Sequence, residues 1–383
     1  TQYTYAQQLA HSYAWRGELA NAEKLLESVV NGYKKEYGNK DVRYGSSLMS
    51  LGTLYSDYRK YKKAEKVLLR AGKVYRQSMG DQADRLVQLP LANVYLSTKR
   101  YKKALAIYER SLALDKKRWG ERHPLLANWS DMMAGVYTQQ GAYNKAVAMY
   151  AKGQEIREPH IRLMLAQGAE KDKRAFMAKL DYLLDVIVGL HALKASQNPD
   201  ALELALTTVL QRKGRVLEAV ADSIWTLRKN MKPADQSVLD QLIGARSKLA
   251  QLVTGGMRGM TPADYARAVA ALEGEVRTLE MAVNQRSAAF RAQSQHVNLA
   301  SVRERIPSGM KLVEMVQVRS VKRKTNWREN PFDKPYYVAY VMGREGAIQW
   351  VNLGDAAGID KGIKELREAL ADPARVDVRG IAH

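Results

Sequence analysis

The sequence predicts a mostly α-helical protein: a solenoid of repeated helix pairs, then a coiled-coil helical hairpin, then a small α/β segment at the C-terminal end. The main observation is a pattern found four times, with Tyr13, Tyr55, Tyr95 and Tyr137 at equivalent positions 42, 40 and 42 residues apart. A fixed period of this kind is typical of stacked units that bury their apolar faces on one another. The second observation is a change from helical to alternating hydrophobicity near the C-terminal end, which indicates strands.

The repeat is clearest in its second copy, where Leu51-Gly52-x-x-Tyr55 is followed by Tyr61-x-x-Ala64-x-x-x-Leu68-x-x-Ala71. Each copy indicates two helices, because small residues recur where helices can cross closely and large apolar residues fill the seam. Glycines follow the second helix in three copies, as expected for a helix C-cap with positive φ. We therefore predict an array of four repeats over residues 1–157.

This pattern resembles the tetratricopeptide repeat, in the longer variety found in kinesin light chains. The phrase that matches best is Ala104-x-x-x-Tyr108-x-x-Ser111-Leu112, followed by Trp119-Gly120-x-x-His123-Pro124. The resemblance implies that the first helix of each repeat lines a concave groove that holds extended or helical peptides.

Transferring the groove positions of that family by register gives a candidate peptide-binding site. Its members are His11, Trp15, Met49, Thr53, Asp57, Asn93, Asn128, Asp131 and Gln139. No groove position is Lys or Arg, and short polar side chains suit a peptide backbone better than a phosphate chain, because amides both donate and accept. Asn93 is the best single candidate for a backbone clamp, and an ordinary exposed Asn is the alternative.

Residues 158–232 keep helical spacing without the repeat, which predicts an irregular continuation of the solenoid. His191 lies on the apolar face of this stretch without a neighbour of ligand type. This favours a histidine in the core or at its boundary over a metal ligand.

Residues 233–300 carry apolar side chains at alternating three- and four-residue steps on two helices joined by a loop that contains glycine. This spacing is typical of an antiparallel coiled-coil hairpin. The charged side chains on the other faces are expected to face solvent; they include Glu273, Glu275, Arg277 and Glu280.

Residues 301–383 read as an α/β segment. Alternating apolar and polar residues predict three strands and a following helix, at 311–319, 336–342, 348–353 and 358–370. The turn between the last two strands is expected at Gly343 to Gly346.

The order of these parts resembles the bacterial tetratricopeptide–CHAT proteins, in which a repeat array leads into a caspase-like protease domain. The phrases that carry this resemblance are 205–219, 290–294, 312–316 and 337–354. It implies that residues 301–383 begin an incomplete caspase-like domain, and that a covalent or non-covalent continuation carries the catalytic His and Cys. No catalytic residue transfers to this chain, because it contains no Cys and its His383 is the last residue.

The net charge of +21 favours anionic partners. Lysine pairs such as Lys62-Lys63 and Lys102-Lys103 open second helices, where a solvated outer face is the simpler interpretation. A nucleic-acid surface is the alternative at one basic cluster with Trp327 beside it, and in the CHAT resemblance that cluster is a variable hairpin loop. The cluster consists of Arg319, Lys322, Arg323, Lys324 and Arg328.

Several classes of function have no support in the sequence. The absence of cysteine removes disulfides, thiolate metal sites and cysteine nucleophiles, and no motif predicts a metal or a cofactor. No run is long and apolar enough for a membrane span, and a secretion signal is not apparent, so we expect a cytoplasmic protein. The start at Thr1 suggests a fragment or a processed piece.

These observations predict a regulatory scaffold that binds a protein or peptide partner, the non-catalytic part of a CHAT-family protease. A nucleic-acid-associated effector subunit and a free-standing peptide-binding adaptor are the alternatives.

Overall fold

The computed structural model describes residues 2–165, 170–220, 231–257, 259–286, 297–321 and 332–371. The protein is mostly helical, with a solenoid of helix pairs and a three-stranded antiparallel sheet near the C-terminal end, which confirms the predicted fold class. Two compact units are present: the first contains residues 2–117 and 131–141, and the second contains the other described residues. The four predicted domain ranges stay predictions.

The array consists of helix pairs joined by short loops, with a 3-10 helix, Asp81–Val87, opening the third repeat. Its helices are α1 (Gln2–Arg16), α2 (Leu19–Tyr37), α3 (Val42–Asp57), α4 (Tyr61–Met79), α5 (Gln88–Ser97), α6 (Tyr101–Trp119), α7 (Leu125–Gln139) and α8 (Tyr143–Leu165). Helix α8 contains Pro159 and continues past it to Leu165.

Glycine is needed where the helices of the second repeat cross. A Cβ atom on Gly52 would lie 2.7 Å from the side chain of Leu68, which is fully buried. This contact explains the Gly in the repeated phrase, because a larger residue would push the two helices apart.

The loop inside each repeat takes a left-handed backbone conformation at one equivalent position. Gly17, Arg59, Lys99 and Gly141 have φ of 85°, 60°, 56° and 74°. For Arg59 and Lys99 this conformation costs roughly 1 kcal/mol each, because the Cβ atom approaches the following carbonyl oxygen. The loop geometry is therefore the same in all four repeats although its sequence is not.

Shorter and longer helices follow the array and end in a helical pair. They are α9 (Glu170–Ala178), α10 (Asp181–Lys194), α11 (Pro199–Val220), α12 (Pro233–Gly255), α13 (Pro262–Arg286) and α14 (Leu299–Arg305). The predicted hairpin is confirmed in α12 and α13, whose buried contact residues are Leu239, Leu242, Leu249, Val276 and Val283. Phe290, which the apolar spacing would place next on this face, lies outside the described residues.

Two charged residues of the hairpin do not simply face solvent as predicted. Glu280 accepts a hydrogen bond from Arg246 of α12 at 2.6 Å, and Glu273 lies 3.5 Å from a guanidinium nitrogen of Arg122. These carboxylates meet cations on neighbouring elements, which the spacing within one helix could not reveal. Glu275 and Arg277 are exposed, as predicted.

The sheet has the order β1-β2-β3, with both neighbouring pairs antiparallel. Its strands and the following helix are β1 (Lys311–Val321), β2 (Phe332–Gly343), β3 (Gln349–Asp355) and α15 (Ala356–Ala371). All four predicted elements are present: the first strand begins at residue 311 as predicted, and the other ends are shifted by one to four residues. Irregular register in β1 and β2 falls at Arg319/Val321 and Tyr337/Val338.

Helix α10 packs on the sheet through polar side chains. His191 is fully buried, its Nδ1 lies 3.1 Å from the Tyr340 hydroxyl, and its ring meets that of Trp350 edge-on at 4.6 Å. Asp185 accepts hydrogen bonds from the backbone N–H and the Nε–H of Arg319, at 2.9 and 3.2 Å. The predicted core histidine is thus confirmed, and it joins a helix to a sheet.

Candidate functional site

The first helices of the repeats bury one side and present the predicted groove positions on the other. In α3, Leu51 and Tyr55 are buried, whereas Thr53 is half-buried and Asp57 is exposed. In α5, Leu91 and Tyr95 are likewise buried and Asn93 is exposed. The helical period therefore separates core positions from candidate binding positions.

The first helices of repeats one, two and three contact one another in that order. Their exposed positions therefore form a continuous surface. Helix α1 packs on α3 and α3 packs on α5. The Tyr58 hydroxyl, just after α3, donates a hydrogen bond of 2.6 Å to the backbone carbonyl of Ala14 in α1. This bond fixes the end of α3 beside the end of α1, where Trp15 is 71% exposed.

A carboxyl group and an imidazole meet on this surface. Loss of hydration raises the pKa of Asp57 above its usual value, and the charge of nearby His11 offsets part of that rise. Asp57 nevertheless stays exposed, so its carboxylate can accept a hydrogen bond from a donor that reaches it. His11 and Asp57, two of the candidate groove residues, therefore lie near enough to each other for their charges to interact.

The other predicted groove residues are distributed as follows. Met49 is half-buried on α3, Asp131 is half-buried on α7, and Gln139 is exposed at the end of α7. Asn128 is exposed on the part of α7 that belongs to the second unit. The assignment of these residues to a peptide site stays a prediction.

A cluster of ion pairs, called the clasp below, joins the first repeat to the second, and the sequence analysis did not predict it. Glu23 of α2 lies 2.6 Å from the Nζ of Lys60 and 2.9 Å from that of Lys63, and the Tyr55 hydroxyl donates to both Glu23 and Glu27. These bonds, the one from Lys60 foremost, lower the pKa of Glu23 from 4.5 to about 2.

The second and third repeats carry an equivalent clasp. Both carboxylate oxygens of Glu65 in α4 accept from Arg100, at 2.9 and 2.8 Å, and the Arg100 guanidinium lies over the Tyr95 ring at 4.6 Å. By register, the third position of this series is Leu105, so the carboxylate is absent there. The signal was available in the sequence, as Glu23 and Glu65 are one period apart, and so are Lys60 and Arg100.

The turn phrase that resembles kinesin light chains has a packing role. The rings of Trp119 and His123 stack at 4.9 Å, and Tyr265 of α13 meets Trp119 edge-on at 5.4 Å. The motif therefore joins the end of α6 to the helical hairpin, and its residues are not on the candidate groove.

The predicted basic cluster is only partly visible. The guanidinium of Arg319 binds the Asp185 carboxylate, as described above. Lys322, Arg323, Lys324 and Arg328 lie outside the described residues, together with Trp327. A nucleic-acid surface at this cluster stays a prediction.

Neither a metal site nor a membrane-spanning helix is found in the described part of the chain. Within those residues, His, Asp and Glu form no group of three or more that could hold an ion. None of the described helices is both long and apolar enough to cross a bilayer.

Comparisons with known proteins give the repeats a family. A family model described as tetratricopeptide repeat matches residues 2–77 and 85–158. A kinesin-light-chain-related protein of Arabidopsis thaliana, "Protein KINESIN LIGHT CHAIN-RELATED 3", is 23% identical over 40% of this chain and 30% of the relative. The chain thus spans less than a third of the length of that curated relative.

Two solved structures are also similar. BtubC (BKLC) from P. vanneervenii has 22% identity and a TM-score of 0.37, covering 41% of this chain and 64% of that one. A Podosopora anserina putative kinesin light chain with nearly identical repeats has 17% identity and a TM-score of 0.43. The match covers 58% of this chain and 98% of that one. The family match over residues 2–77 and 85–158 identifies these segments as tetratricopeptide repeats, and the curated relative is of the kinesin-light-chain kind.

Proposed function

We propose that this chain is a protein-interaction scaffold that holds a peptide segment of its partner across α1, α3 and α5. The observation that carries the proposal is the continuous surface of these three helices, where polar and apolar side chains are exposed and Lys and Arg are absent from the groove positions. Tetratricopeptide repeats as a class support protein binding.

The side chains on this surface suit a peptide. The Asn93 amide can donate to a backbone carbonyl and accept from a backbone N–H at the same time. Asp57 would accept from a further N–H or from a cationic side chain, and Trp15 offers an exposed apolar anchor. Together they provide backbone recognition at the centre and side-chain recognition at one end.

A selection from a random 12-residue peptide library tests the proposal without a known partner. We expect enriched peptides whose affinity falls at least about fivefold in Asn93→Ala, because a lost pair of hydrogen bonds to the bound peptide costs about 1–3 kcal/mol. Asn31→Ala is the matched control, since Asn31 is an exposed Asn on the second helix α2. Peptides that bind both variants equally would contradict the groove, and a selection without enrichment would contradict peptide binding.

The finer proposal is that this scaffold is the non-catalytic part of a CHAT-family caspase-like protease. The order of repeat array, helical hairpin and three-stranded sheet is consistent with it, as are the phrases around Thr207 and Val313. Casein incubated with this chain alone should stay intact, whereas the product of the full reading frame should cleave it until iodoacetamide alkylates its cysteine. Cleavage by this chain alone, or no cleavage by either protein, would contradict the proposal.

A further inference from the structure

The excess positive charge of the array is concentrated in two of its second helices. Helix α4 contains six Lys or Arg residues and one Glu. Helix α6 contains six Lys or Arg residues and two acidic residues. The equivalent helix α2 contains three of each sign. Because the three helices have the same role in the solenoid, packing alone does not explain the difference.

Several of these cations have no ionic partner within the described residues. Lys62, Lys66 and Lys73 of α4 are exposed or half-buried and form no ion pair there. The single acidic residue of α4, Glu65, is engaged by Arg100. Helix α4 therefore keeps three exposed lysines that pair with no acid among the described residues.

The cations of α6 repeat those of α4 in register. Lys62 corresponds to Lys102, Lys63 to Lys103, Arg70 to Arg110 and Arg76 to Lys116, each 40 residues on. Because Arg100 directly precedes α6 and binds Glu65, the start of α6 lies beside α4. The start of α6, with Lys102 and Lys103, is thus brought close to the cations of α4.

We propose that the exposed side of α4 and α6 binds the sugar–phosphate backbone of a nucleic acid, without reading its sequence. This surface lies on the second helices, is distinct from the peptide groove, and goes beyond the function proposed above. Lysines act as flexible point charges on phosphates, and their counterion release supplies affinity that needs no base contact.

The composition of this side favours a polyanion over an acidic protein or a membrane. Among the described residues of α4 and α6, the exposed large apolar side chains are Leu69 and Met79, and neither is aromatic. Protein interfaces rely strongly on aromatic anchors, and helices that lie on membranes need a continuous apolar face. A partner with evenly spaced charge requires neither.

Fluorescence anisotropy with labelled poly(U) RNA of 30 nucleotides and a 30-base-pair DNA duplex tests the proposal. We compare Lys62→Gln/Lys66→Gln/Lys73→Gln with Lys24→Gln/Lys34→Gln/Lys35→Gln on α2, which removes the same charge from exposed positions. In 50 mM salt the first variant should bind at least one probe about tenfold or more weakly than the unmodified chain. The slope of log affinity against log salt concentration should be smaller in magnitude by about 3. The affinity of the second variant should change less than about twofold. Asn93→Ala should leave this binding unchanged.

Two further measurements keep the test decisive. The variant Lys62→Arg/Lys66→Arg/Lys73→Arg must bind the probes as tightly as the unmodified chain does, because it keeps the three positive charges. On the unmodified chain, bound RNA or DNA must protect Lys62, Lys66 and Lys73 from acetylation more than Lys24, Lys34 and Lys35, which does not depend on the folding of any variant. Equal loss in both Gln variants, absence of binding to both probes, or tighter binding to poly-glutamate would overturn the proposal.

Discussion

Polar contacts hold helices in two regions of the molecule, and their surroundings differ. In the array, Glu23 meets Lys60 and Lys63, whose side chains are 36% and 58% exposed. Under the sheet, the Asp185 side chain is 7% exposed and His191 is fully buried. Water and salt screen the first kind of contact more strongly than the second, in which Asp185 and His191 are buried although the Arg319 side chain is 45% exposed.

Because their surroundings differ, the two sets of contacts should contribute differently to the free energy of unfolding. The clasps orient the second repeat on the first and the third on the second, at little net gain in stability. A buried polar pair costs much to break, because the remaining partner is left without water. We therefore expect changes under the sheet to lower stability strongly and changes in the clasps to lower it slightly.

The largest change in the free energy of unfolding should come from lowering the pH. Burial lowers the pKa of His191 from 6.5 to about 4, so below pH 6.5 the unfolded chain binds a proton that the folded chain does not. Stability of the sheet region should be full above about pH 6.5 and fall by up to about 3 kcal/mol toward pH 4. Urea unfolding at pH 7 and 4.5, followed by hydrogen exchange of β2, measures this.

The variant His191→Gln isolates this contribution from the carboxyl groups, which also titrate in that range. Its stability should depend less on pH than that of the unmodified chain. The same pH dependence in both proteins would show that His191 does not carry the effect.

The next largest effect should come from Asp185→Ala. Burial raises the pKa of the Asp185 carboxyl despite the opposing effect of Arg319, so this group is held away from water at a cost that its hydrogen bonds offset. Removing it leaves the backbone N–H of Arg319 without this acceptor, and we expect a loss of about 2 kcal/mol in the free energy of unfolding.

Asp181→Ala is the control for this change, as Asp181 is an exposed acid at the start of the same helix. It should cost less than about 1 kcal/mol, through the helix dipole. Equal losses in the two variants would mean that the buried contact has no special role.

The smallest effect should come from Glu23→Gln in the array. The clasp is partly exposed, so its loss should cost about 0.5–1 kcal/mol, and the cost should shrink in 1 M salt. Thermal unfolding in low and high salt checks this against Glu109→Gln, an exposed acid of α6 without an ion pair in the described part of the chain. A loss that salt does not reduce would place the clasp with the buried contacts.

The sequence predicts the elements better than it predicts their contacts. Spacing within a segment was enough to find α3, α4, the hairpin and all three strands, because helical and alternating periods are local. Contacts such as Arg246–Glu280 and His191–Tyr340 join residues 34 and 149 positions apart, which no local period encodes. The clasp of Glu23 lies between these cases, since its partners recur with the repeat.

The same limit applies to the candidate site. Register was sufficient to predict that Asn93 and Asp57 face solvent on first helices, because the repeat fixes which side is buried. It could not predict that loss of hydration raises the pKa of Asp57, which depends on packing around the carboxyl.

Hydrogen–deuterium exchange of the chain with and without a selected peptide tests the peptide-binding surface most directly. Bound peptide should slow exchange in segments from α3 and α5, around Thr53 and Asn93, and leave the segment around Leu69 of α4 unchanged. Protection confined to α4, or no protection of α3 and α5 by a peptide that binds, would contradict the assignment of the first helices as the binding surface.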